Sequence, residues 1–202
     1  MKTFVTGTLA FAAISLAPLA TAHFQLLDPP SWIQESNLGD PQKAAPCGTS
    51  DITAGKPTNT VTSVDGGKKL KIRVKETVFH PGFYRVALSV NSRAELPADP
   101  KAETRNTDKG PQSVSGHIVY PPTPPVLADG LFPHTTRPTG EWETEVDIPN
   151  INCAKCTLQV IQFMANHGLN KEGEYTYHHC ADIAIHADPN QPIDARFPAE
   201  KK

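Results

Sequence analysis

Two of the eight histidines in this 202-residue chain stand where a metal would be held. His23 follows Ala20-Thr21-Ala22, a small-x-small tripeptide closing an apolar run over residues 9–19, with Lys2 the one charge before it. Signal peptidases read that pattern, so residues 1–22 are expected to be a signal peptide and His23 the first residue of an exported chain. The apolar run is too short for a membrane span, which needs about 20 residues. A histidine at a chain start offers two nitrogens, its α-amine and ring Nδ1, which together close a chelate ring on a metal. The ordinary pKa of an α-amine, about 7.7–8.0, makes its deprotonation by a metal inexpensive. One further imidazole completes a T-shaped set of three nitrogens, and nitrogen donors with the Irving–Williams order favour copper over zinc.

The best second imidazole is His80, in Thr77-Val78-Phe79-His80-Pro81-Gly82-Phe83-Tyr84. Pro81 and Gly82 end regular structure, leaving His80 at a sheet rim. An ordinary rim histidine is the competing reading. A third element is Tyr175-Thr176-Tyr177-His178-His179-Cys180-Ala181-Asp182. Tyr177, at the entry to a strand, is expected to face an axial metal position, and a plain packing aromatic is its alternative. His178 and His179 are strand neighbours pointing to opposite faces, so both cannot meet one metal; they are expected to be solvated.

The elements that must position these residues are strands. Residues 69–75 alternate strictly between lysine or arginine and Leu70, Ile72 and Val74, the period of a strand with one buried face. Residues 61–64 precede them across Asp65-Gly66-Gly67, so the two are expected to form a hairpin. Residues 83–90, 141–148, 158–164 and 181–185 read as further strands. Between them, residues 29–56, 96–111 and 121–138 are dense in proline, glycine and polar side chains and read as long loops. The expected fold is all-β: one antiparallel β-sandwich of the immunoglobulin/fibronectin III-like kind, spanning residues 23–202, with long loops.

The formal net charge of −2 argues against nucleic acid or an anionic membrane as partner, since both demand a basic face. A monomer, secreted or periplasmic, is expected. Cys47, Cys153, Cys156 and Cys180 are an even number in an exported chain, so two disulfides are expected. Three pairings are possible. A redox role for Cys153-Ala154-Lys155-Cys156 lacks the strand-then-helix setting that activates a thiol.

His23 after a leader, His80 ahead of an aromatic strand, and Tyr-x-x-Cys-x-Asp from Tyr177 to Asp182 resemble the lytic polysaccharide monooxygenases. The last motif is similar to the Tyr-x-x-Cys-x-Gln of their fungal cellulose-active branch, and Phe79-His80-Pro81-Gly82 is similar to a monooxygenase-like branch. By that resemblance His23 and His80 form a histidine brace for copper, and Tyr177 takes the axial place. His167 approximates the family's outer histidine beside the oxygen-binding position, at a different spacing. Tyr175 stands where the fungal branch has glutamine, and Gln162 on the preceding strand is the expected substitute. The resemblance also pairs Cys47 with Cys180, leaving Cys153 with Cys156.

What the resemblance implies is copper-dependent oxidation of a sugar C–H beside a glycosidic bond in cellulose, chitin or hemicellulose, with an external reductant. Trp32 and Phe24 are the candidate sugar-stacking rings, with burial of Trp32 the equal alternative. A brace used only to bind or acquire copper is the rival class, and a sandwich with no metal is a third.

Overall fold

The computed structural model describes residues 22–169 and 175–201. The predicted signal peptide therefore lies outside the described residues, apart from Ala22. Strands dominate: β1 (His23–Asp28), β2 (Val61–Asp65), β3 (Lys69–Val78), β4 (Gly82–Ser89), β5 (Ala102–Thr107), β6 (Gly110–Gly116), β7 (Val126–His134), β8 (Trp142–Asp147), β9 (Cys153–Met164), β10 (His167–Gly168) and β11 (Thr176–His186). A single 3-10 turn, Arg93–Glu95, is the one helical element among the described residues. No helix among the described residues is long and apolar enough to cross a membrane.

Two sheets make the sandwich. The smaller has strand order β1-β3-β8 and the larger β2-β11-β9-β4-β7. The alternation in β3 sends Leu70, Ile72 and Val74 inward, where they meet Tyr84, Val86, Leu88, Leu158, Val160, Ala181 and Ile183 of the larger sheet. Each such aliphatic side chain contributes about 1.5–3 kcal/mol when fully buried. A third sheet, β10-β6-β5, lies beside the sandwich and carries His167 at one edge.

The larger sheet is buried on both faces, which is why β4 reads as continuously buried rather than alternating. Its outer face is covered by the long loop after β1. Trp32, Ile33 and Cys47 pack there with Cys180, and the Trp32 indole donates to the Cys47 carbonyl at 3.1 Å. The Cys47–Cys180 disulfide closes this layer, and Cys153 bonds Cys156.

Several sequence expectations are corrected. Residues 61–64 and 69–75 are not a hairpin: β2 joins β11 in the larger sheet, in parallel, while β3 pairs with β1 and β8 in the smaller. The Asp65-Gly66-Gly67 turn therefore crosses between layers, with Gly67 at φ +71°. One parallel pair thus sits in an otherwise antiparallel sandwich. The segments 96–111 and 121–138 are not structureless, since β5, the start of β6 and β7 fall within them. β5 is exposed along most of its length, so no buried period marked it. β7 is anchored by Asp129, whose side chain is completely buried and accepts both the Arg85 Nε–H at 2.9 Å and an Arg85 Nη2–H at 2.7 Å.

Candidate functional site

At one end of the sandwich the predicted site residues come together. β1 runs antiparallel to β3, and His23 pairs with Val78, two residues before His80. On the larger sheet Gln162 lies between Tyr84 of β4 and Tyr177 of β11 in register. The His23 and Tyr177 rings, from opposite layers, are 5.2 Å apart at 39°. The His80 ring stacks on that of His167 at 4.9 Å and 28°, and Tyr175 meets His167 edge-on at 5.7 Å. His23 thus meets Tyr177, beside Gln162 in register, and His80 meets His167, with Tyr175 against His167.

The ring chemistry is specific. His23 Nδ1 is buried and accepts or donates no hydrogen bond. Its Nε2 lies 3.7 Å from Asp40 Oδ2 at the surface. His80 Nδ1 is 3.1 Å from the Pro81 carbonyl, which only a protonated Nδ1 can satisfy, so the lone pair of the neutral ring sits on Nε2. Burial, with His167 and His134 nearby, lowers the His80 pKa against the raising effect of the Pro81 contact, keeping the ring neutral. A buried orphan nitrogen on one histidine and a carbonyl-oriented ring on the other are what metal ligation requires. Among the described residues no group of three or more His, Cys, Asp or Glu converges on a point; an amine with two imidazoles draws on only two such side chains.

Two side chains central to the cluster were missed in the sequence. Glu76 Oε1 accepts the Gln162 Nε2–H at 2.6 Å and the His80 backbone N–H at 3.1 Å, and His134 Nε2 lies 3.3 Å away. The signal was present: continuing the alternation of Leu70, Ile72 and Val74 puts position 76 on the inward face, where a glutamate is costly unless it serves a partner. His134 had no signal, because its strand was read as a loop.

The start of β1 is held from several sides. Gln42 Oε1 accepts the Phe24 N–H at 3.1 Å. Gly39, at φ +103°, lets the loop approach so closely that a Cβ there would lie 1.9 Å from the Phe24 carbonyl oxygen. His179 is wholly buried with Nε2 3.0 Å from that same oxygen, and its Nδ1 lies 3.0 Å from Glu35 Oε1. His178 is likewise buried, its Nε2 2.8 Å from Asp99 Oδ1. The two histidines do point to opposite faces, but the expectation that they are solvated is overturned, because the loop layer covers the outer face. Phe24, at 0% exposure, and Trp32, at 8%, are also buried. Phe24 lies edge-on to Tyr84, and Arg93 lies over the Trp32 ring at 3.9 Å, so neither ring is presented to a sugar.

A search of protein-family models finds no match, and a search of curated proteins finds none. Among solved structures, a chitin binding domain from Burkholderia pseudomallei is similar at 12% identity and a TM-score of 0.48, over 82% of this chain and 100% of that one.

Proposed function

We propose that this chain, once trimmed to begin at His23, would hold copper through the His23 amine and Nδ1 and through His80 Nε2, with the Tyr177 ring beside His23, and act oxidatively on a polysaccharide. The observation that carries the metal reading is the His23 Nδ1 atom, buried without a hydrogen-bond partner beside Tyr177. An orphaned buried nitrogen costs about 1–3 kcal/mol, and a bound cation turns that cost into a bond. Copper, when bound, supplies one-electron redox chemistry towards dioxygen or peroxide. The chain's own residues hold the rings, keep the His80 lone pair on Nε2, and exclude bulk water from the inner side of the site through Phe24 and Tyr84. The polysaccharide is what the resemblance of His23, His80 and the Tyr177–Asp182 motif implies.

Copper carriage without cleavage is the second reading, and burial of both Phe24 and Trp32 favours it, since neither expected stacking ring is available. The decisive pair of experiments is direct. Copper titration with electron paramagnetic resonance is run on the chain beginning at His23 and on a variant with one residue added ahead of it. Loss of affinity in the extended variant is expected, because the amine becomes an amide; unchanged affinity overturns the brace. Release of oxidised oligosaccharides from cellulose, chitin or xylan with a reductant, abolished by His80→Ala, separates enzyme from carrier.

A further inference from the structure

We propose that Glu76 and His134 form a clamp that fixes His80, gripping its backbone at both the N–H and the C=O so that its ring is aimed before any metal arrives. The copper reading supplies the purpose of this clamp; the clamp itself is a property of the chain alone.

His80 lies in the short connection between β3 and β4, outside any strand ladder, followed by a proline with no N–H and by Gly82. Its backbone groups are instead met by buried side chains. The His80 N–H donates to Glu76 Oε1 at 3.1 Å, and His134 Nε2–H donates to the His80 carbonyl at 2.9 Å. The two clamping groups are tied to one another at 3.3 Å, with side chains 1% and 4% exposed. With the ring Nδ1 held by the Pro81 carbonyl, His80 is fixed at three points.

The clamp is itself braced from both sheets. Gln162 of β9 donates to the same Glu76 oxygen at 2.6 Å. The second His134 nitrogen, Nδ1, is 2.7 Å from the Phe132 carbonyl. Phe132 reaches that position at φ +48°, a left-handed conformation that a bulky residue adopts at a cost of about 1–3 kcal/mol. With Phe132 O, His80 O and Glu76 Oε1 around it, both ring nitrogens of His134 face acceptors. Packing needs nothing of this kind: apolar residues would fill the interior without the desolvation cost of buried polar side chains. What the pair gains is a fixed place for one histidine.

The test uses the metal-free chain beginning at His23, with Glu76→Met to delete the acceptor, Glu76→Gln to restore one, and His134→Phe to retain the ring packing. Exchange of the His80 amide hydrogen is followed by nuclear magnetic resonance, with the Val160 and Ile161 amides of β9 as internal reference. Glu76→Met is expected to speed His80 exchange at least tenfold with β9 unchanged, Glu76→Gln to recover most of the protection, and His134→Phe to speed it several-fold. Copper affinity should fall about ten- to a hundredfold in Glu76→Met and much less in Glu76→Gln, the range usual for groups that orient metal ligands. His80 exchange within twofold of the parent in folded Glu76→Met overturns the clamp; if that variant does not fold, the same result in His134→Phe overturns it. A parent chain that binds no copper defeats the function proposed above, while the metal-free exchange rates still decide the clamp.

Discussion

His179 Nε2 donates to the Phe24 carbonyl at 3.0 Å, so the residue directly after His23 is anchored from the opposite sheet of the sandwich. The other nitrogen of that ring faces Glu35, whose two oxygens also receive the Leu26 N–H at 3.2 and 3.4 Å. With the His179 Nε2 proton committed to Phe24, Nδ1 is left without a hydrogen-bond partner, Glu35 Oε1 lying 3.0 Å away outside hydrogen-bonding geometry. Burial drives both groups neutral: it raises the Glu35 pKa to about 8 against the lowering contacts of Leu26 and Ser31, and lowers His179 to about 4.

This pair gives stability a defined dependence on pH. Unfolded, Glu35 releases its proton near 4.5, but folded it holds it to about 8, so its contribution falls as pH rises between those values. His179 acts in the opposite sense from about 4 to 6.5, where the unfolded ring binds a proton that the folded ring refuses. The two offset each other from about 4.5 to 6.5, and above 6.5 only the Glu35 loss remains. A decline on the order of 2 kcal/mol between pH 6.5 and 8 is expected. Glu35→Gln, which removes the titrating carboxyl, should lack most of that decline when urea unfolding is compared across the range.

The disulfides should differ in their worth. Cys47 and Cys180 are 133 residues apart, whereas Cys153 and Cys156 are separated by three. Constraint of the unfolded chain then gives about 5 kcal/mol for the first and about 2 for the second. Replacing Cys47 and Cys180 by alanine should lower the melting temperature far more than replacing Cys153 and Cys156. It should also weaken copper binding, because Gln42, which holds Phe24, belongs to the loop that Cys47 secures.

Gly39 and Gly110 have similar positive φ values, +103° and +94°, but different surroundings. An added Cβ at Gly39 meets the Phe24 carbonyl oxygen at 1.9 Å, while at Gly110 nothing lies within 4 Å. Gly110→Ala should cost about 1 kcal/mol for the backbone alone. Gly39→Ala should cost at least about 2 kcal/mol more and reduce copper affinity by displacing Phe24. Chemical denaturation of the two variants side by side is the check.

Arg85 and Asp129 provide a contrast, because their ion pair is buried on a different face of β4 from Tyr84. Asp129→Ala strands the Arg85 charge and should destabilise by about 3–5 kcal/mol. The double replacement Arg85→Met with Asp129→Leu should recover much of that loss. Copper affinity, measured on folded protein, is expected to be unchanged in the double variant.

What was legible in the sequence followed period and parity. Leu70, Ile72 and Val74 marked β3, and the mixed apolar and aromatic run after Gly82 marked β4. The apolar run over residues 181–185 marked β11, and the motif around Tyr177 gave the Cys47–Cys180 pairing through family resemblance. The hairpin reading of residues 61–75 failed because turn chemistry specifies a reversal but not the layer into which the chain returns. Val61, 43% exposed, carried no sheet assignment of its own. β5 and β7 were hidden by polar, glycine and proline residues, their partners supplied by distant segments. Burial of His178, His179, Phe24 and Trp32 depended on the residue 29–56 loop folding down as a third layer, and no local pattern announces that.

β11 delivers Tyr177, His179 and Cys180 on one strand, and it docks between β2 and β9, whose own positions in the chain are far apart. A polypeptide emerging N-terminus first therefore has its early histidines in hand long before the strand that completes their surroundings. Until its last quarter arrives, the large sheet lacks an inner strand, Cys47 has no mate, and the carbonyl behind His23 has no donor. Such long-range pairing makes for slow folding, and it ties completion of the proposed copper centre to arrival of the last strand.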